Sequence, residues 1–93
     1  MDTRNYVTSR DLVQLAKLPR QRIVVGAKQL RKALAAETAQ QVFLAGNADP
    51  NMTEPLEALC RDKQVPCVWI SDMMQLGRAC GIAVGAAAAA VII

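Results

Sequence analysis

The chain has 93 residues, of which 53% are hydrophobic but only 3% aromatic. This length supports a single domain, residues 1–93, with an aliphatic core, and so few rings exclude a surface on which several bases stack. Residues 1–36 carry eight Lys or Arg against two Asp, a net charge of +6, whereas residues 37–93 have a net charge of −3. A basic half and an acidic half indicate a polyanion that meets one surface.

Several classes of enzyme are excluded by what the chain lacks. Without histidine there is no imidazole for catalysis, and the scattered carboxylates show no spacing for acid–base work. Gly26 stands alone, without the further glycines of a phosphate-binding fingerprint. Cys60, Cys67 and Cys80 fit neither a disulfide framework nor a zinc knuckle, so we interpret them as buried free thiols in a reducing compartment. We expect no catalysis, no metal and no cofactor.

The sequence shows no pattern for secretion or membrane insertion. Residues 1–6 are polar and no apolar run follows them, unlike a signal peptide. The apolar run at residues 79–93 is shorter than the roughly 20 residues of a membrane span and is diluted by Gly and Ala. We expect a cytoplasmic protein without membrane association.

The first half of the chain alternates helix and strand signals. Thr8 and Ser9 predict the N-cap of a first helix that ends near Leu18, before a proline. Residues 20–22 form a polar link. Residues 23–25 are β-branched and predict a short strand.

The region after Gly26 predicts an amphipathic helix from about residue 28 to residue 36. One face carries Leu30, Ala33 and Leu34, and the opposite face carries Lys28, Arg31 and Lys32. A glycine lets a backbone approach closely, and the unpaired N–H groups at a helix start attract phosphate. The pattern indicates a nucleic-acid contact, and its alternative is an ordinary solvated helix face.

The second half continues the alternation of strands and helices. Residues 41–45 predict a buried strand, and Thr53 predicts the cap of a third helix with Pro55 in its first turn. The inward stripe of this helix comprises Leu56, Leu59 and Cys60. Residues 67–70 predict another strand, and Ser71 with Asp72 caps a fourth helix.

The last part of the chain gives mixed signals. Residues 86–90 favour a helix by propensity, whereas residues 91–93 favour a strand, and we interpret the segment as a buried final strand. Gly77, Cys80 and Gly81 are predicted to be small residues where the fourth helix lies close to the sheet. Strands that alternate with helices predict a three-layer α/β/α sandwich.

Four short motifs follow one another along the chain. They are Gly26-x-Lys28-Gln29-x-x-Lys32-Ala33-Leu34, Ala48-Asp49-Pro50, Val65-Pro66, and Leu76-Gly77-x-Ala79-Cys80-Gly81-Ile82-x-Val84-Gly85-Ala86-Ala87. Their order resembles the kink-turn RNA-binding ribosomal protein family of L-seven-Ae and L-thirty-e, in particular its small bacterial members. The resemblance extends from about Leu12 to Ile93.

The resemblance implies a four-stranded mixed sheet between helices and RNA bound at two places. One place matches Gly26, Lys28, Gln29 and Lys32, beside Arg31 of the basic face, and the other matches Ile82, Ala83 and Val84. The RNA that the family binds, a kink-turn, is a sharply bent duplex with an internal loop and tandem sheared G·A pairs. Polar residues at the helix start contact base edges, the lysine contacts backbone or guanine, and the apolar loop packs on extruded nucleotides.

The chain also departs from parts of the family pattern. Many archaeal and eukaryotic members have Asn-Glu where this chain, like bacterial members, has Lys28 and Gln29. Bacterial members often have threonine or another small polar residue at the position of Leu30, and an acidic residue at that of Ala83. These departures concern affinity and sequence preference rather than the fold.

The leading hypothesis is a non-enzymatic, ribosomal-protein-like monomer that recognises a kink-turn in ribosomal RNA or in a riboswitch-like mRNA leader. The ribosome is a candidate partner, and a small-molecule substrate is not expected. The alternative is a ribosome-associated or signalling module that uses the same fold to bind a protein. Purely structural explanations of these residues also stay open. Gly26 can serve a simple turn, Gln29 can be exposed without a partner, residues 82–84 can begin a buried strand, and Trp69 can be a core or half-exposed residue.

Overall fold

The computed structural model of the chain describes residues 9–93. Within this range, helices and strands alternate as α1 (Ser9–Ala16), a 3-10 helix (Arg20–Arg22), β1 (Ile23–Val25), α2 (Ala27–Ala35), β2 (Ala39–Ala45), α3 (Pro50–Lys63), β3 (Cys67–Ile70), α4 (Met73–Ala79) and β4 (Ala88–Ile92). The predicted order is confirmed. Thr8, the expected cap of the first helix, lies outside the described residues.

The four strands form one mixed sheet in the order β1-β4-β2-β3. The last strand is antiparallel to both of its neighbours, while β2 and β3 are parallel. The first three strands therefore run in one direction and end at the same side of the sheet, at Val25, Ala45 and Ile70. We call this side the carboxyl edge. The helices that follow these strands, α2, α3 and α4, all begin there, and β4 begins there at Ala88.

Two apolar clusters fill the space on either side of the sheet. One joins α1 and α4 to the sheet through buried residues that include Leu15, Phe43, Ile70 and Leu76. The other joins α2 and α3 to the opposite face through Leu30, Leu34, Leu44, Leu56 and Trp69. The three-layer α/β/α sandwich with a four-stranded mixed sheet is thereby confirmed.

The final strand forms against the helix propensity of its alanines. Ala88, Ala89 and Ala90 are fully buried. Ala89 and Ala90 pair with β1 on one side and β2 on the other, while Ala88 pairs with β2 and accepts a hydrogen bond from the Gly26 N–H. Backbone pairing on both sides satisfies the polar groups that burial would otherwise leave without partners. Short side chains here let both helix layers approach the middle of the sheet.

The start of α3 differs from the prediction. The helix begins at Pro50 and is capped by Asp49, whose carboxylate accepts a hydrogen bond from the Asn51 N–H at 3.0 Å. Thr53 lies inside the helix, buried, with its hydroxyl 3.4 Å from the Asp49 carbonyl oxygen. The Asp-Pro pair begins the helix earlier, because Pro at the first position has no N–H left unpaired and Asp is a strong cap.

Three smaller differences concern the ends of elements. The first helix ends at Ala16 rather than near Leu18, and the N–H of Leu18 turns back to the Leu15 carbonyl at 3.2 Å. The predicted link at residues 20–22 is a 3-10 helix, and β2 begins at Ala39. None of the helices in the described range is long and apolar enough to cross a bilayer.

Candidate nucleic-acid interface

Gly26 connects β1 directly to α2 through a backbone conformation that suits glycine. Its φ of 97° and ψ of 153° lie in a region that is essentially closed to other residues. Its N–H donates to the Ala88 carbonyl at 2.9 Å, and its carbonyl accepts from the Leu30 N–H at 3.0 Å. Nothing lies within 4 Å of the place where a Cβ would stand. The backbone conformation of the turn therefore requires glycine here, and the turn also leaves open space in front of the helix.

The start of α2 differs from the other two helix starts at the carboxyl edge. The side chains of Asp49 and Asp72 cap α3 and α4, with Asp72 accepting from the Met74 N–H at 2.6 Å. No side chain caps α2 at Gly26. The first N–H groups of a helix have no partner within it, and together with the helix dipole they favour an anion. Among these three helices, α2 is the one whose start is left open to a phosphate.

The exposed face of α2 adds positive charge beside this start. Lys28, Gln29, Arg31 and Lys32 are all exposed, and among the side chains described, those of residues 12–93, none forms an ion pair with these three cations. Leu30 is fully buried in the core, so its departure from the family pattern concerns packing rather than a direct contact. The predicted division of this helix into a buried and a basic face is confirmed.

The α4–β4 loop, residues 80–87, folds back along α4 towards the carboxyl edge. The Ile82 N–H donates to the Gly77 carbonyl, and the Ala86 N–H donates to the Met73 carbonyl, each at 3.0 Å. A Cβ on Gly77 would overlap the Val84 carbonyl oxygen. The expectation that Gly77 permits a close approach is therefore right, but the partner is this loop and not the sheet.

Residues 82–84 do not begin the final strand, which starts at Ala88. Ile82 is half-buried and packs on the core next to α4. Ala83 is exposed, and Val84 is 66% exposed, which is high for an aliphatic side chain. The interpretation of these residues as a buried strand is therefore wrong, and two of the three are available to a partner.

The start of α2 and the end of the α4–β4 loop meet at the carboxyl edge. Val25 pairs with Ala89 across the sheet, and Gly26 is hydrogen-bonded to Ala88, the residue that follows the α4–β4 loop. The open start of α2 and the end of the loop are therefore held side by side by the backbone. This juxtaposition places a basic surface next to an apolar one.

Arg20 supports this site and was not predicted. Its Nη1 donates to the Cys80 carbonyl at 2.6 Å, where the α4–β4 loop begins. Its side chain also lies beside Gly81, 3.7 Å from the place where a Cβ would stand. In the sequence it is one of two arginines in a polar link, and nothing there indicates a partner 60 residues away.

Met74 and Asn47 are two further residues that sequence reasoning missed. Met74 is 43% exposed, and its sulfur lies beside Gly85 of the loop. The side-chain oxygen of Asn47 accepts from the Met73 N–H at 2.9 Å, which ties the β2–α3 connection to the start of α4. The apolar Met74, two residues after the Asp72 cap, was the one sequence signal for this part of the surface.

The remaining candidate residues lie in the interior. Trp69 is a core residue, and its Nε1 donates to a carboxylate oxygen of Glu57 at 3.1 Å. Cys60 and Cys80 are buried and Cys67 is half-buried, all three as free thiols. Within the described residues, no group of three or more potential ligands could hold a metal ion.

The chain is similar to known proteins in sequence. A family model described as "Ribosomal protein L7Ae/L30e/S12e/Gadd45 family" matches residues 8–93. An RNA-binding protein of Halalkalibacterium halodurans is 43% identical over 68 residues, which cover 73% of this chain and 83% of the relative. The NHP2-like protein 1 homolog of Dictyostelium discoideum is 34% identical over 93 residues, which cover 99% of this chain and 71% of the relative.

Solved structures show the same fold. The Giardia lamblia 15.5kD RNA binding protein has a TM-score of 0.86 and 32% identity, covering 100% of this chain and 84% of that one. A protein with unknown function from Bacillus halodurans has a TM-score of 0.75 at 23% identity over 88% of this chain and 80% of that one. With the family model matching all but the first seven residues, the chain belongs to the ribosomal protein L7Ae/L30e/S12e/Gadd45 family.

Proposed function

We propose that this chain is a non-enzymatic RNA-binding protein and that its target is a kink-turn in structured RNA. The observation that carries the proposal is the uncapped start of α2, with its exposed cations, held next to an exposed apolar loop. Relatives from Halalkalibacterium halodurans and Giardia lamblia bear the name of RNA-binding proteins. Charge for the backbone and an apolar surface for unstacked bases are the two features that a bent RNA with extruded nucleotides requires.

The basic side of the site binds the RNA backbone. The open N–H groups of α2 and the charges of Lys28, Arg31 and Lys32 attract phosphates and fix the position of the RNA. Gln29 lies exposed among them, and its amide can both donate and accept hydrogen bonds. It reads the exposed edge of a base, which a lysine cannot do with the same discrimination.

The apolar side of the site packs against nucleotides that have left the stack. Ala83 and Val84 are exposed, and the loop that carries them is fixed to α4 through Gly77 and Met73. Because the loop is already ordered, binding costs little conformational entropy there. A straight duplex offers no extruded nucleotide to this surface, so the protein favours the bent form.

The mechanism is a shift of the RNA population. A protein that binds the kinked form more tightly moves the equilibrium by its differential affinity for the two forms. The target is a ribosomal RNA or a riboswitch-like mRNA leader, and the chain acts as a monomer in the cytoplasm.

The test compares affinities for two RNAs in one salt series. One RNA carries a kink-turn, and in its control the tandem G·A pairs are replaced by Watson–Crick pairs. We expect tighter binding to the kink-turn at every salt concentration. Equal affinity for the two RNAs would contradict kink-turn recognition, and no binding to either would contradict RNA binding altogether.

A second candidate is a protein-binding module, which the exposure of Val84 favours. An apolar contact with another protein responds little to salt, whereas phosphate contacts weaken steeply as salt rises. The salt series therefore distinguishes the two functions.

A further inference from the structure

Cys60 and Cys67 lie against each other on the face of the sheet that carries α3. Cys60 belongs to the buried cluster between this helix and the sheet, and Cys67 packs on the same cluster. The chain between them reverses direction at Gln64, which has a left-handed φ of 57°, and the Val65 N–H donates to the Cys60 carbonyl at 2.9 Å. This tight reversal brings the end of α3 next to the start of β3.

The two thiols also interact directly. They share a hydrogen bond, which lowers the pKa of Cys60 and raises the pKa of Cys67, where burial acts in the same direction. The third thiol, Cys80, is in the other core cluster on the opposite face of the sheet, and burial raises its pKa.

We propose that Cys60 and Cys67 form a reversible intramolecular disulfide when the protein meets a peroxide. The pair lies just below the surface, because Cys60 is 1% exposed but Cys67 is only half-buried at the start of an edge strand. A small oxidant reaches the pair from the Cys67 side. Cys80 has no thiol beside it among the described residues and takes no part.

The reaction with hydrogen peroxide proceeds in two displacements. The Cys60 thiolate attacks one peroxide oxygen, so an S–O bond forms, the O–O bond breaks and hydroxide leaves. This hydroxide takes the proton of the Cys67 thiol and becomes water. The Cys67 thiolate then attacks the Cys60 sulfur, the S–S bond forms, and the second hydroxide takes up the proton that Cys60 had released to solvent. Two thiols are oxidised and one peroxide is reduced to two waters.

The disulfide cross-links α3 to β3 of the sheet. It closes a short loop between Cys60 and Cys67, and such a cross-link restricts the unfolded chain. The melting temperature of the oxidised protein should rise by on the order of 10 °C. The open start of α2 lies on another element, so this chemistry is independent of the proposed RNA binding.

The test uses folded, reduced protein exposed to a small excess of hydrogen peroxide and then digested with trypsin. Arg61 and Lys63 lie between Cys60 and Cys67, and Arg78 separates both from Cys80. Peptides that contain Cys60 and Cys67 therefore stay together only through a disulfide, and they separate on reduction. We expect this linked pair, with one thiol per chain left free.

Variants and stability complete the test. Cys80→Ser should still form the linked pair, whereas Cys67→Ser should not, and circular dichroism checks that both variants fold. Because the tryptic map of the unmodified chain is decisive by itself, a misfolded variant does not weaken the test. Absence of the linked pair, a link through Cys80, or a lower melting temperature after oxidation would overturn the proposal.

Discussion

The guanidinium of Arg20 donates a hydrogen bond to the Cys80 carbonyl oxygen at 2.6 Å, across 60 residues of sequence. The bond joins the segment before β1 to the point where the α4–β4 loop begins. It satisfies a carbonyl at the end of α4 that the helix itself leaves without a partner. Arg20 therefore holds the loop that carries Val84, although it does not belong to the proposed RNA-contacting residues.

Replacing Arg20 should impair both the fold and the loop. A hydrogen bond from a charged group contributes about 1.5–3 kcal/mol, so we expect Arg20→Ala to lower the free energy of unfolding by about that amount. A loosened loop should also weaken binding to a kink-turn more than to a paired control RNA. Denaturant unfolding and RNA titrations measure the two effects.

Arg22 supplies the matched control. Its Nε donates to the Ile92 carbonyl at 2.8 Å and its Nη2 to the Gln40 side chain at 3.2 Å, away from the loop. Arg22→Ala removes the same charge and a similar hydrogen bond. It should lower stability and weaken binding to both RNAs alike. If the two variants had the same effect on kink-turn preference, Arg20 would not act through the loop.

A side chain at Gly77 should destabilise the protein. A Cβ there would meet the Val84 carbonyl oxygen, whose position is fixed by neighbouring backbone hydrogen bonds. We expect Gly77→Ala to cost about 1–3 kcal/mol of stability, the usual range for overpacking. Gly85→Ala is the control, since its Cβ would stand 3.2 Å from the nearest atom, on Met73, and should cost less. Equal melting temperatures for the two variants would contradict the described path of the loop.

Gly26→Ala tests whether backbone conformation alone requires glycine before α2. No atom lies near the added Cβ, so any loss of stability comes from the φ of 97° and not from a collision. Holding a residue other than glycine there costs about 1–3 kcal/mol. We expect a loss in that range by thermal unfolding, together with weaker binding to every RNA because the start of α2 shifts. An unchanged melting temperature would show that the turn relaxes at little cost.

The order of elements, the two faces of α2 and the small-residue character around Gly77 could be predicted from the sequence, because they depend on local periodicity and turn chemistry. The true cap of α3 was also visible at Asp49, but the later Thr53 with Pro55 offered a competing start. The Asp49-Pro50 pair begins the helix first, which places Thr53 inside it. The Arg20–Cys80 bond could not be predicted, since it depends on how distant elements pack.

The path of the α4–β4 loop could not be predicted from the sequence for a similar reason. Its apolar residues look like the beginning of a strand in sequence. In the structure, hydrogen bonds to α4 at Gly77 and Met73 hold them outside the sheet until Ala88. The exposure of Val84 therefore depends on tertiary contacts between the loop and α4.

Mutations in α2 should distinguish residues that attract RNA by charge from residues that recognise a base. Lys32 and Gln29 are both exposed on this helix, but the amide both donates and accepts hydrogen bonds and so suits the reading of a base edge, whereas the ammonium mainly adds charge. We expect Lys32→Ala to weaken binding to kink-turn and paired RNA alike and to lower the salt slope by about one unit. Gln29→Ala should cost about 1–3 kcal/mol on the kink-turn alone.

Lys63 is the control for these two variants, because it is an exposed lysine at the far end of α3. Lys63→Ala should leave the salt slope almost unchanged. Equal losses on both RNAs for Gln29→Ala, or no loss on either, would reduce the site to a basic patch without base reading.

The proposed selection of a bent RNA depends on the open start of α2 and the neighbouring loop. The most direct measurement is the distance between fluorophores at the two ends of a kink-turn RNA, followed by energy transfer during a protein titration in low magnesium. We predict a saturable rise in transfer, absent when the G·A pairs are replaced by Watson–Crick pairs. Saturated binding with no change in transfer would contradict the account.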